Sequence, residues 1–134
     1  MIPKKQVIKM IECLIVGIGG FAGSILRYLI GLIPVRETWI FPVKTFGINV
    51  AGAFIIGVIA GAVLKKGDLD PRLVQLVKVG ICGGFTTFSS FALETFDLIK
   101  AGNGLTALAY GVFSVAAGIA AVFAGEWAVT SISR

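Results

Sequence analysis

Four apolar stretches, each long enough to cross a lipid bilayer, take up most of this sequence and fix what it can become. Crossing a hydrocarbon layer of ~30 Å takes ~20 residues of helix. The stretches run from about Ile11 to Ile33, Thr45 to Leu64, Leu73 to Ile99 and Leu105 to Val129. Punctuation between them is clear. Pro34 and Pro42 bracket a short loop with Arg36 and Glu37, and Lys65-Lys66-Gly67-Asp68-Leu69-Asp70-Pro71 is a charged stop followed by a helix-initiating Pro. Lys100-Ala101-Gly102-Asn103-Gly104 closes the third stretch. Only 14% of the residues are charged and 57% are hydrophobic. A soluble domain carries ~25% charged residues, so the pattern predicts an all-α integral membrane protein, residues 1–134 forming a single four-helix domain.

Pro3-Lys4-Lys5 has the charge of a signal-peptide start, but no small-residue cleavage site follows and the first span is full length, so it reads as a retained helix. With both termini on one side, that side carries Lys4, Lys5, Lys9, Lys65, Lys66, Arg72, Lys78 and Arg134, against Arg36, Lys44 and Lys100 on the other. The positive-inside rule then places both ends in the cytoplasm. The excess of twelve Lys and Arg over seven Asp and Glu fits loops facing anionic lipid better than nucleic acid.

The chain has no His, which removes His-dependent triads, the commonest metal ligand and the usual neutral-pH proton shuttle. Cys13 and Cys82 sit inside apolar runs, so neither a disulfide framework nor a zinc cluster is expected. Eighteen glycines, including Gly57-x-x-x-Gly61 and Gly80-x-x-x-Gly84, have the small-residue spacing that lets membrane helices approach closely. Packing within one chain accounts for most of them. Helices packed so tightly leave no central aqueous path, which favours an oligomer whose transported species passes between chains or along a groove, with a symmetric dimer as the default.

The third span carries the chemistry. Gly83-Gly84-Phe85-Thr86-Thr87 at mid-span makes a poor continuous helix, since Gly costs about 1 kcal/mol relative to Ala and Thr adds a hydroxyl that competes for backbone bonds. A break over Gly83–Thr87 is expected, and carbonyls freed there must face protein, an ion or a cavity. Carbonyls suit a hard monovalent cation, and half-helix amides an anion. A kinked packing helix is the alternative on this segment alone. Beyond it, Phe88 and Phe91 share one helical face. Thr86, Ser90, Glu94 and Asp97 form a polar stripe beside them. Lipid or core contact is the ordinary use of such phenylalanines, but an intramembrane Glu94 argues for water or a partner nearby. Ring edges carry partial positive charge and face an anion weakly, as conduction needs.

Other polar positions fit a lined pathway. Thr45 and Asn49 are one turn apart, as are Tyr110 and Ser114, and the Asn49 amide has two hydrogens to donate. Interhelical hydrogen bonding is the alternative for each pair, and the preferred one for Ser114. Arg27 either snorkels to the interface or sits in a watery vestibule and attracts anions.

Gly83-Gly84-Phe85-Thr86-Thr87-Phe88-Ser89-Ser90-Phe91 strongly resembles the third-helix signature of the Fluc (CrcB) fluoride channels. Gly23-Ser24-Ile25-Leu26-Arg27-Tyr28, Gly47-Ile48-Asn49-Val50-Ala51-Gly52 and Tyr110-Gly111-Val112-Phe113-Ser114 match the patterns of the other three helices, in order. The resemblance implies a passive, fluoride-selective channel in the cell membrane (a cell inner membrane), assembled as an antiparallel, dual-topology dimer with two pores. It implies that Phe88 and Phe91 contact fluoride, that Asn49 donates a hydrogen bond to it, and that Ser89, Ser90 and Glu94 form a polar track. Thr45, Tyr110 and Ser114 would line the pathway, and Arg27 the vestibule. Gly83 and Thr86 carbonyls from both subunits would hold one structural sodium ion, Na+. Gly118 departs from relatives that carry a hydroxyl there. The eight-to-three Lys and Arg asymmetry exceeds what dual topology expects, and the family includes paired genes whose products form heterodimers. A homodimer is preferred because this chain carries every pore element.

The competing reading is a small proton-coupled multidrug exporter, which needs a carboxylate near the middle of its first span. Here Glu12 lies near the start and the deep charge is Arg27. A non-transporting assembly subunit would leave Phe88 and Phe91 unexplained. An enzyme would need a nucleophile and base, and Glu94 has no evident partner in the sequence.

Overall fold

A computed structural model of the chain describes residues 4–36 and 38–132. Pro3, Glu37 and Arg134, used in the sequence reading, lie outside them, as do the side chains of Lys4 and Lys5. Every regular element among the described residues is helical, with no strand among them. Helix α1 spans Lys4–Gly31 and α2 spans Val43–Lys66. The third span begins as α3 (Pro71–Val74), widens into a π-helical stretch (Gln75–Ile81) and tightens again as α4 (Cys82–Phe85). It resumes after two extended residues as α5 (Phe88–Lys100), and α6 covers Gly104–Ser131. Four segments are long and apolar enough to cross a membrane: Ile8–Gly31, Val43–Lys66, Pro71–Lys100 and Gly104–Ser131. They overlap the four expected stretches, and the chain is a multi-pass membrane protein.

Local chemistry explains the helix ends. Gly67 stops α2 in the left-handed region at φ +68°, which only glycine adopts without penalty, and its N–H returns to the Val63 carbonyl at 3.0 Å. Asp70 caps the third span by accepting the Arg72 N–H at 2.9 Å, with Pro71 in the first turn. Lys44 Nζ donates to the Gly31 carbonyl at 2.7 Å and Lys65 Nζ to the Val129 carbonyl at 3.1 Å. Each cation thus meets the negative end of a neighbouring helix.

Close backbone approach then sorts the helices. A Cβ added at Gly80 would stand 2.9 Å from the Val16 carbonyl oxygen, and one at Gly84 would strike the Gly20 carbonyl, so α1 lies directly on the first half of the third span. On the other side, a Cβ at Gly61 would meet the Glu126 carbonyl oxygen at 2.8 Å, and Gly57 packs on Val122 in the same way, so α2 lies on α6. Both GxxxG pairs are therefore spent within the chain.

The interior is small. Leu98, Ala107 and Tyr110 are buried together near one end, with Phe41, Phe46 and Phe91 packed around them. Ile48, Cys82 and Phe85 are buried where the spans cross. Most large apolar side chains face outward, as befits a protein whose solvent is lipid.

Candidate functional site

The third span is interrupted at Thr86 and Thr87, both extended (φ −75°, ψ 157° and φ −149°, ψ 113°). The interruption is narrower than the sequence led us to expect: Gly83 and Gly84 are helical within α4. Gly84 is needed for the approach of α1, not for the break. What allows the chain to open is that neighbouring side chains replace the lost backbone bonds. Asn49 Oδ1 accepts the Thr87 N–H at 2.8 Å, and Asn49 Nδ2 donates to the Thr87 carbonyl at 3.2 Å. Arg27 Nε donates to the Gly84 carbonyl at 3.1 Å. Thr87 Oγ1 accepts the Ser90 N–H at 3.2 Å, capping α5, and bonds the Ser90 hydroxyl at 3.0 Å. Its contact with the Ser89 hydroxyl is 3.3 Å.

Thr87 is therefore the hub of the break, and sequence reasoning did not single it out. Its signal was available: a Thr just before a helical stretch is a preferred N-cap.

The expected polar stripe is also corrected. Thr86 lies on the other side of the break from Ser90 and Glu94, and its hydroxyl turns back to the Cys82 carbonyl at 2.8 Å. Asp97 is exposed and takes no part. The stripe assumed a continuous helix, and two extended residues destroy that register.

An open groove of about 320 Å³ lies against the break, lined by Asn49, Ala53, Ile56, Thr86, Thr87, Phe88, Phe91, Ser114 and Val115. Phe88 and Phe91 meet there with ring centroids 5.8 Å apart and planes tilted by 41°. Phe88 is 79% exposed, whereas Phe91 also packs on Tyr110 at 4.9 Å. From its spacing alone Ser114 was expected to bond between helices, and from the resemblance to line the pathway. Its hydroxyl is instead buried without a partner among the described residues, although it lines the groove. The groove is thus lined by an unpaired, buried hydroxyl and by an Asn49 amide with one hydrogen uncommitted among the described residues.

Next to the groove, Glu94 is held from two sides. Thr45 Oγ1 donates to Oε1 at 2.6 Å and Tyr110 OH donates to Oε2 at 2.7 Å. Glu94 has no evident partner along the chain; the fold supplies two, from α2 and α6. Tyr110 is fully buried and Thr45 is 6% exposed, so the cluster ties three helices together. Tyr110→Phe should lower stability by about 1–3 kcal/mol, because it leaves Glu94 Oε2 without its donor. Thermal unfolding in detergent checks this, and a melting temperature equal to wild type would exclude it.

Gly83 and Thr86 stand apart from these bonds. Their carbonyls accept no hydrogen bond among the described residues, and Gly83 is exposed. They are hard, uncharged oxygens, a donor set that fits a monovalent cation if a second set faces it. No group of three or more His, Cys, Asp or Glu among the described residues is placed to hold a metal by side chains.

A multi-pass helical bundle whose polar and aromatic side chains converge on a lateral groove at a broken span belongs to the class of small membrane proteins that move solutes, not to the enzymes. The family model described as CrcB-like protein, Camphor Resistance (CrcB) matches residues 14–126, and the chain belongs to that family. It is 46% identical over 112 residues to a protein of Azobacteroides pseudotrichonymphae named Fluoride-specific ion channel FluC, covering 83% of this chain and 90% of that one. Proteins of the same name from Chlorobaculum tepidum and Rhizobium meliloti are 44% and 41% identical over 117 residues, 87% of this chain and 92% and 94% of theirs.

Proposed function

We propose that this protein is a passive channel selective for fluoride, letting the ion leave the cytoplasm down its electrochemical gradient. The family and the names of its relatives support the ion. The observation that carries the reading is the groove, which Phe88, Phe91, Asn49 with one uncommitted N–H, and the unpaired Ser114 hydroxyl line together. These are weak, fixed donors without a full positive charge. A small, hard halide that has shed water needs such partners to enter, and their weakness lets it move on. Ser89, Ser90 and Glu94 continue the polar track along α5, and Thr45 and Tyr110 hold Glu94 from α2 and α6.

The functional unit we propose is an antiparallel homodimer with two pores, a paired homologue being the alternative partner. Support comes from what one chain leaves open. Its groove lacks a wall on one side, Phe88 is 79% exposed, and the Gly83 and Thr86 carbonyls point to no donor at a depth where lipid offers none. A two-fold axis would bring two such pairs of carbonyls together around one structural sodium ion, whose charge would hold the subunits in register. Gly83 and Thr86 would be its ligands.

Purified protein reconstituted in liposomes loaded with fluoride should release it on addition of an ionophore, and should retain chloride. Terminal tags in those vesicles should be accessible from both faces. Fluoride held as in empty lipid would reject the channel, and a single fixed orientation would reject the homodimer.

A further inference from the structure

We infer that Arg27 is a positioning residue, acting through the Gly84 carbonyl to hold the break open, and not chiefly a charge that attracts ions. The inference rests on the channel reading only for its consequence for flux.

In a continuous helix the Gly83 carbonyl would accept the Thr87 N–H, which Asn49 takes instead, and the Gly84 carbonyl would accept the Phe88 N–H. The extended Thr86 and Thr87 remove that donor, and hydrocarbon cannot replace it. Arg27 Nε fills the vacancy at 3.1 Å from the opposite helix. The sequence prepares this reach. Gly19, Gly23 and Arg27 recur every four residues along one face of α1, and a Cβ at Gly23 would stand 2.8 Å from the Phe85 nitrogen. The small residues bring the α1 backbone against α4, and the next turn delivers the guanidinium to the Gly84 carbonyl. Asn49 holds Thr87 from the α2 side. Arg27 and Asn49 thus clamp the two flanks of the Phe85–Thr86 turn from different helices.

The planar guanidinium fixes the direction of its Nε–H, and a lysine ammonium does not. Charge and position can therefore be separated. Arg27→Lys keeps the charge and Arg27→Met removes it. If Arg27 positions the break, both variants should raise amide hydrogen exchange over Phe85–Ser90 by about tenfold and slow fluoride efflux by a similar factor, whatever the ionic strength. A charge attractor predicts instead that Arg27→Lys behaves as wild type and that the Arg27→Met defect fades at high salt. That outcome would overturn the proposal. If neither variant folds, isotope-edited infrared spectroscopy of wild type labelled with ¹³C at the Gly84 carbonyl decides. A hydrogen-bonded amide frequency supports the clamp, and a free-carbonyl frequency overturns it. Exchange and infrared readouts stand even for a protein that passes no fluoride, so failure of the clamp and failure of the channel reading are distinguishable.

Discussion

Phe88→Ile and Phe91→Ile should each slow fluoride efflux from liposomes by about a hundredfold or more, equivalent to raising the barrier by about 2.7 kcal/mol. Ile preserves bulk and apolarity but has no ring edge, so an anion in the groove loses the partial positive charge that partly replaced its water. The two variants separate conduction from stability. Phe88 is 79% exposed, so its replacement removes little packing within the chain and should leave unfolding unchanged. Phe91 touches the Tyr110 ring at 4.9 Å, so its replacement should also cost about 1 kcal/mol of stability. Efflux at the wild-type rate from both variants would remove the aromatic contacts from the pathway.

Asn49→Asp should reduce efflux at least tenfold and destabilise the protein by about 1–3 kcal/mol. One carboxylate oxygen can still accept the Thr87 N–H that Asn49 Oδ1 takes at 2.8 Å. The other must face the Thr87 carbonyl where Nδ2 now donates at 3.2 Å, placing two acceptors against each other. A negative charge would also stand where a passing anion needs a donor. Stability is read by thermal unfolding and conduction by efflux. Wild-type behaviour in both would show that the amide is neither clamp nor donor.

These three residues were legible in the sequence because their chemistry is unusual for their place. A pair of phenylalanines beside intramembrane hydroxyls, and an amide at membrane depth, call for a reason before any fold is known. The same holds for the four spans, since crossing a bilayer imposes length and apolarity on contiguous residues. Ser114 shows where this reading stops. One turn from Tyr110, it had the spacing of an interhelical hydrogen bond, and only packing left its hydroxyl unpaired beside the groove.

Glu94 and Gly84 mark the same boundary. Glu94 had to find partners, but Thr45 lies 49 residues away and Tyr110 lies 16 away, and no local pattern names them. The run of Gly and Thr announced an interruption without saying which residues would open. Gly83 and Gly84 remained helical, and it is at Gly84 that α1 approaches through Gly20. Thr86 and Thr87 opened because Asn49 and Arg27 arrive to bond what the helix gives up. The sequence by itself determined what must be apolar, what must be polar and roughly where regular structure fails, because those follow from the solvent and from residues close along the chain. Only the tertiary structure decided which atoms are paired and which are left to offer a passing ion, because hydrogen bonding at membrane depth is settled between helices.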